Sequence, residues 1–98
     1  MTAYVITDMK VKDPELYKGY TALTPNAVAS AGGGSFVVRG GATEVLEGSW
    51  SPARLVVVKF ESVAAAKAFY NSALYLEARA KRVGATEYFN MVVVEGVA

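Results

Sequence analysis

Three charged side chains around a glycine-rich stretch form the first group of residues that could do chemistry. Arg39 and Glu47 lie in the segment RGGATEVLEGSW, and Arg54 follows it closely. If the segment folds back as a hairpin, both guanidinium groups and the carboxylate meet at one end of a sheet. Arginine binds carboxylates and phosphates through paired hydrogen bonds. The carboxylate of Glu47 could serve as a general base. The alternative is an ordinary ion pair that holds the hairpin and contributes little when exposed.

A second group of polar residues lies in the segment FYNSALYLEARAKR, at a predicted break between two helices. Tyr75 and Arg79 are four residues apart and therefore share one helical face. Together with neighbouring hydroxyls they could orient an anionic or carbonyl ligand. The alternative is that the tyrosines are core aromatics and the arginine is a cation favoured near a helix C-terminus. The predicted ligand-binding residues are Arg39, Arg54, Tyr70, Ser72, Tyr75 and Arg79, with Glu47 as the candidate catalytic residue.

The residue types that the chain lacks exclude several classes of chemistry. There is no cysteine, which excludes disulfides, thiolate catalysis and cysteine-based metal sites. There is no histidine, which excludes the commonest general base and the Ser-His triads. The glycines of RGGATEVLEGSW are not followed by Lys-Ser or Lys-Thr, so a phosphate-binding loop is excluded as well. We therefore predict no metal and no cofactor.

Length and charge limit the organisation of the chain and its partners. The 98 residues fit a single domain over residues 1–98. A formal net charge of +1 argues against a nucleic-acid partner and against a polybasic membrane patch. No apolar run reaches the roughly 20 residues of a membrane span, and the first ten residues do not resemble a secretory signal. These features favour a cytoplasmic protein.

The first third of the chain predicts a strand followed by a long helix. AYVITDMKV is rich in β-branched and aromatic residues, which is typical of a strand. Asp13 then serves as a helix N-cap, with Pro14 in the first helical position. Pro25 predicts a kink or a restart, with Thr24 as a second cap. The glycines at 32–34 end the helix.

The rest of the chain predicts four more strands and two more helices. SFVVR and ATEVLEG are predicted to form a hairpin around the Gly40–Gly41 turn, and ARLVVVKF forms a longer strand. Ser62 caps a helix that weakens at Asn71, and Ser72 caps its continuation. EYFNMVVVEG is the last strand. Without the short hairpin strand, the order is the βαββαβ pattern of an α+β, ferredoxin-like sandwich.

Two apolar runs indicate how the chain assembles. LVVV in one strand and MVVV in the last strand are apolar on both faces. The helices can cover only one face of an antiparallel sheet, and at 53% hydrophobic residues the chain has apolar surface to spare. A second copy of the same sheet is the simplest cover for the other face. We therefore predict a homodimer with the two sheets face to face, a dimeric α+β barrel.

The ordered motifs of the chain resemble a bacterial family, the domain of unknown function family 1330. The motifs that carry the resemblance are DPELYKGY, GGGSFVVRGG, VLEGSW, RLVVVKF and AAAKAFYNSALY with the arginine that follows, and they span nearly the whole chain. The resemblance implies the dimeric α+β barrel superfamily. Related barrels include cofactor-free oxygenases, small-ring isomerases and haem-degrading enzymes, of which the haem branch usually relies on a histidine. On this chain the family pattern would mark Asp13, Pro14, Tyr17, Arg39, Gly40, Gly41, Glu47, Gly48, Arg54, Tyr70, Ser72, Tyr75 and Arg79.

Two functions of different classes are consistent with these observations. The first is a small homodimeric protein that binds or transforms a partly apolar anionic or carbonyl compound without a cofactor, as a cofactor-free oxygenase or isomerase does. The second is a non-catalytic structural or stress-associated dimer, in which the same polar residues tie the hairpin to the helix break. Substitutions that change ligand binding would favour the first function, and substitutions that change only stability would favour the second.

Overall fold

Four strands and three helices follow one another in the predicted order, apart from one predicted strand. The computed structural model of the protein describes residues 1–97. The elements are β1 (Ala3–Val11), α1 (Pro14–Ser30), β2 (Ser35–Arg39), β3 (Arg54–Phe60), α2 (Val63–Tyr70), α3 (Ala73–Lys81) and β4 (Thr86–Glu95). The sheet is antiparallel, with strand order β2-β3-β1-β4, so the predicted ferredoxin-like α+β fold is confirmed. No helix within residues 1–97 has the length and apolar character needed to cross a membrane.

Each of the three helices begins at the N-cap that the sequence predicts. The side chain of Asp13 accepts a hydrogen bond from the backbone N–H three residues later, at 3.0 Å. Ser62 and Ser72 do the same for α2 and α3, at 3.0 and 3.1 Å. These bonds satisfy backbone donors that a helix leaves free at its first turn.

The first helix does not restart at Pro25, as the sequence suggested, but runs through it as one element. Proline has no N–H, so the carbonyl of Thr21 loses the hydrogen bond that residue 25 would donate. The hydroxyl of Thr24 donates to that carbonyl instead, at 3.4 Å. Thr24 is buried and lies inside the helix rather than capping a new one. The local side-chain bond therefore lets the helix continue.

The predicted strand ATEVLEG and its Gly40–Gly41 hairpin do not form. Residues 41–53 have no regular secondary structure, and we call them the β2–β3 loop. Gly40 has a φ of +71° and turns the chain out of β2, while its N–H donates to the carbonyl of Leu55 in β3 at 2.8 Å. The loop side chains up to Trp50 are all exposed, so a strand here would have no core face to pack on. This is why the alternation of apolar residues was misleading.

The helices cover one face of the sheet, and the core lies between them. Along β1 the burial alternates, with the odd-numbered residues 3–9 buried and the even-numbered ones partly exposed or exposed. Phe60 and Phe69 pack with ring centroids 5.2 Å apart, and Phe69 and Tyr75 with centroids 4.4 Å apart. Aromatic rings from three elements therefore fill the layer between sheet and helices.

The opposite face of the sheet, which we call the outer face, carries a continuous apolar row. Val38, Val57, Ile6 and Val92 are paired side by side across all four strands. The side chains at the two ends of this row, Val38 and Val92, are 39% and 58% exposed. Beside this row Asp8 accepts hydrogen bonds from the Trp50 indole at 3.1 Å and from the Tyr88 hydroxyl at 3.4 Å. The β2–β3 loop is thereby tied to the outer face.

Candidate functional site

A narrow cleft lies between α1 and the helix-facing side of the sheet. Its free volume is about 40 Å³, and it opens into a wider groove of about 760 Å³ at the end of the sheet where β2 leaves for the β2–β3 loop. Valine, methionine and phenylalanine side chains form most of the wall. The polar side chains of the wall are Thr7, Tyr17, Tyr20, Thr21, Thr24, Arg39, Arg54 and Tyr75.

The mouth of the cleft is positively charged. Arg39 and Arg54 line both the cleft and the groove, and Lys10 and Lys18 border the groove. The two lysines form exposed ion pairs with glutamates at 3.1 and 2.9 Å, whereas neither arginine has a carboxylate partner within residues 1–97. Both surfaces are lined without a single acidic side chain among these residues. Two unpaired guanidinium groups beside an apolar wall are suited to an anion.

Gly40 determines where the Arg54 guanidinium lies. A β-carbon added at Gly40 would overlap that guanidinium, and the φ of +71° is one that other residues rarely adopt. The Nε atom of Arg54 is buried and has no hydrogen-bond partner within residues 1–97. Glycine at this position therefore lets an arginine of β3 pass close to the backbone and reach the mouth of the cleft.

Three tyrosines form the inner part of the cleft. Tyr17 and Tyr20 of α1 have ring centroids 5.3 Å apart, and both are 7% exposed. The hydroxyl of Tyr20 forms a 2.8 Å hydrogen bond with the hydroxyl of Tyr75, which comes from α3 and is fully buried. Behind them the Arg82 guanidinium lies 3.6 Å from the ring centroid of Phe89 and 5.4 Å from that of Tyr20. The hydroxyls are thus held rigidly at the end of an apolar cavity.

Burial changes the acid-base properties of two of these tyrosines. Removal from water raises the pKa of Tyr20 strongly, and its proximity and hydrogen bond to Tyr75 raise it further. Burial also raises the pKa of Tyr17, although the positive charges of Arg54 and Arg82 act in the opposite direction. Both phenols therefore keep their protons at physiological pH.

The raised pKa values predict that the protein loses stability at alkaline pH. Above pH 10.0, the ordinary tyrosine value, the unfolded chain releases these two protons while the folded chain retains them. The free energy of unfolding should then fall by up to about 1.4 kcal/mol per pH unit for each tyrosine. Urea unfolding between about pH 9 and pH 11.5 measures this slope. Tyr20→Phe should flatten the decline, and an unchanged slope in that variant would contradict the assignment.

The structure brings only some of the predicted site residues to the cleft. Arg39, Arg54 and Tyr75 line it, as described above. Ser72 caps α3, and its hydroxyl donates to the carbonyl of Phe69 at 2.7 Å, so it positions Tyr75 without facing the cavity. Tyr70 is 40% exposed and lines a separate apolar groove of about 210 Å³ between α2 and β4.

Arg79 and Glu47 lie away from the cleft. The Arg79 guanidinium is stacked 4.5 Å from the ring centroid of Tyr70, outside the wall of the cavity. Glu47 belongs to the β2–β3 loop and lines a shallow groove with Trp50 and Leu55. The side chain of Leu55 is on the outer face of the sheet, so this groove is on the side opposite the cleft. Within residues 1–97 Glu47 forms no ion pair with either arginine. The predicted meeting of this carboxylate with the arginines required the hairpin that does not form.

The predicted ligand-binding residues do not include Tyr17 and Tyr20, although the family pattern marks Tyr17 and the two could line a pocket wall. Their spacing of three places both on one face of α1, which was consistent with core packing as well as with a cavity wall. The distinguishing feature is the contact of Tyr20 with Tyr75, which is 55 residues away in sequence. Only the tertiary structure shows that contact.

Comparison with known proteins identifies a family and a fold. The family described as "Domain of unknown function (DUF1330)" matches residues 2–97. A protein of unknown function from Rhodopseudomonas palustris has a similar structure, with a TM-score of 0.75 at 18% sequence identity, over 99% of this chain and 83% of that one. No curated protein matches the sequence.

Two further similar structures extend the comparison. A dimeric ferredoxin-like protein of unknown function from Jannaschia has a TM-score of 0.72 at 14% identity, over 98% of this chain and 100% of that one. A protein from Nitrosomonas europaea, proposed to be an antibiotic biosynthesis monooxygenase, has a TM-score of 0.60 at 15% identity, over 98% and 90% of the two chains. At these identities the likeness shows the fold.

Proposed function

Because the chain belongs to the DUF1330 family and shares the fold of dimeric ferredoxin-like proteins, we propose that it is a homodimer that binds a small, partly apolar anion in each subunit. The observation that carries this proposal is the pair of unpaired arginines, Arg39 and Arg54, at the mouth of an apolar cleft. Their guanidinium groups would hold a carboxylate or a similar anion while the apolar wall takes the rest of the ligand.

The proposed dimer joins the outer faces of two sheets. The apolar row from Val38 to Val92 is exposed at both ends and partly exposed between them in a single copy of the chain, and exposed apolar surface of this kind marks interaction surfaces. A second copy is the proposed occupant, since a structure of the same fold is described as dimeric. The clefts open on the helix side and would stay accessible.

The same cleft supports cofactor-free chemistry as an extension of binding. Guanidinium and phenol donors fixed in a narrow cavity stabilise negative charge that develops on a bound oxygen. The proposal therefore includes an oxygenase- or isomerase-like reaction, which fold similarity to a monooxygenase-like protein supports only by analogy. Arg39, Arg54 and Tyr75 are the proposed ligand contacts, and the proposal gives Glu47 no role in the cleft. A cytoplasmic location, as the sequence suggests, is part of the proposal.

Substitution of Arg54 by methionine tests the proposal. The apolar stem stays, but the charge at the mouth is lost, so binding of short-chain carboxylates should weaken by about tenfold or more. Isothermal titration with butanoate, pentanoate and phenylacetate measures this, with the matching primary amides as uncharged probes. Lys81→Met removes an exposed cation of α3 and is the control.

The outcomes distinguish the two functions considered for the chain. The proposed site is supported if the acids bind and the amides do not. Binding of the acids should also be lost in Arg54→Met and kept in Lys81→Met. If Arg54→Met lowers thermal stability while neither protein binds any of these acids, the arginine has a structural role and the non-catalytic alternative stands.

A further inference from the structure

One of the two buried tyrosine hydroxyls at the inner end of the cleft has a proton without a hydrogen-bond acceptor. Tyr20 and Tyr75 each carry one hydroxyl proton, and a single hydrogen bond of 2.8 Å between the two oxygens uses one of them. Within residues 1–97 no other group accepts a hydrogen bond from either hydroxyl. A buried donor without an acceptor destabilises the fold, so the second proton is available to an oxygen in the cavity.

The charged side chains that line the cleft and the groove are all hydrogen-bond donors. The wall and the mouth contribute guanidinium, ammonium, phenol and threonine hydroxyl groups, but neither a carboxylate nor a side-chain amide among residues 1–97. Burial keeps Tyr20 protonated, because its pKa is raised well above the ordinary value. A ligand that matches this wall offers acceptor oxygens both at the arginines and at the tyrosine pair.

Tyr17 lies between the two ends of the site. It borders both the cleft and the outer groove, together with Arg54, and its ring centroid is 5.3 Å from that of Tyr20. The Tyr17 side chain therefore lies between the charged mouth and the hydroxyl pair. A small molecule with two oxygen groups can reach both ends.

The free volume limits what can enter the inner end. A cavity of 40 Å³ has space for about three water-sized groups. An acceptor oxygen, the carbon that bears it and one neighbouring carbon fill such a space, while the remainder of the ligand lies in the groove. We place the carboxylate at Arg39 and Arg54, because these two side chains line both the cleft and the groove and have no carboxylate partner within residues 1–97.

From these observations we infer that the ligand is a short oxo acid, whose carboxylate binds Arg39 and Arg54 and whose carbonyl oxygen accepts a hydrogen bond from the Tyr20–Tyr75 pair. The inference rests on the proposed function, since it uses the same cleft and the same arginines. It adds the second recognition point and the class of ligand.

The test compares matched acids on matched proteins. The probes are 2-oxopentanoate, 4-oxopentanoate and pentanoate, measured by isothermal titration on the wild type, on Arg54→Met and on the double variant Tyr20→Phe/Tyr75→Phe. The double variant removes both hydroxyls and keeps both rings, and replacing both partners of a buried hydrogen bond is close to neutral for folding. Tyr88→Phe removes a hydroxyl on the outer face and is the control.

The expected result is a difference between the two kinds of variant. At least one oxo acid should bind the wild type roughly threefold to tenfold more tightly than pentanoate, and the double variant should lose that advantage while binding pentanoate as before. Arg54→Met should weaken all three acids together, and Tyr88→Phe none. With a ¹³C label at the carbonyl, binding to the wild type should move the carbonyl resonance downfield, and binding to the double variant should not.

Three results would overturn the inference, and they differ in whether the proposed anion site is also lost. Equal affinity for the oxo acids and pentanoate in the wild type would remove the carbonyl site but leave the proposed anion site intact. An oxo-acid advantage that survives in the double variant has the same consequence. No binding of any of the three acids would overturn both proposals.

Discussion

Lysine in place of Val92 is expected to convert the proposed dimer into a monomer. The Val92 side chain is 58% exposed in the single subunit, so a lysine there costs the isolated fold little. In the dimer it would place a charge from each copy into an apolar interface, and an unpaired buried charge costs several kcal/mol. Since each 1.4 kcal/mol is a factor of ten, the dimer dissociation constant should rise by about a hundredfold or more.

Sedimentation equilibrium at low micromolar protein measures this effect. Val83→Lys is the matched control, because Val83 is 75% exposed and follows α3, away from the outer face. The control should stay at twice the chain mass, and Val92→Lys should fall to the chain mass with unchanged far-UV circular dichroism. If the wild-type protein is already monomeric at this concentration, the dimer proposal itself is wrong.

Alanine in place of Phe69 is expected to remove a large part of the folding stability. The side chain is 2% exposed, and its ring packs between those of Phe60 and Tyr75. Truncating a buried phenylalanine typically costs about 3 to 5 kcal/mol, because the transfer free energy is lost and a cavity remains. For a domain with a total stability of about 5 to 15 kcal/mol, this is a loss that unfolds a measurable fraction of the molecules.

Urea unfolding at a fixed protein concentration gives the comparison, since the stability of a dimer depends on concentration. The neighbouring Tyr70→Ala is the control: the ring has a similar size but is 40% exposed, so its loss should cost only about 1 kcal/mol. A loss at Phe69 no larger than that at Tyr70 would show that the aromatic cluster is not the centre of the core.

Local signals in the sequence predicted most of the fold. The caps at Asp13, Ser62 and Ser72 satisfy the first turn of a helix with side chains that are close in sequence, so composition and spacing suffice to find them. The β2–β3 loop was mispredicted because alternation alone does not provide a partner strand or a core to pack on. Continuity through Pro25 depended on a single hydroxyl of the preceding residue, which the sequence suggested as a cap instead.

The site was only partly predictable, for a different reason. The charges at Arg39 and Arg54 stand out in an apolar chain, and their common location follows from the pairing of β2 with β3. The contact between Tyr20 and Tyr75 joins two helices that are distant in sequence, and no local pattern encodes it. Glu47 stood out by its position between arginines, yet proximity along the chain did not become proximity in space.

The edge position of β4 affects how a newly synthesised chain folds without aggregating. This ten-residue strand forms an edge of the sheet, and its run Met91–Val94 combines unpaired backbone groups with uncharged side chains, of which the three valines are β-branched. Such segments are templates for fibril-like stacking, which Glu87 and Glu95 near the two ends of the strand oppose by repulsion. Assembly of the proposed dimer would therefore compete with misassembly through this edge, and refolding at low protein concentration should give less aggregate than refolding at high concentration.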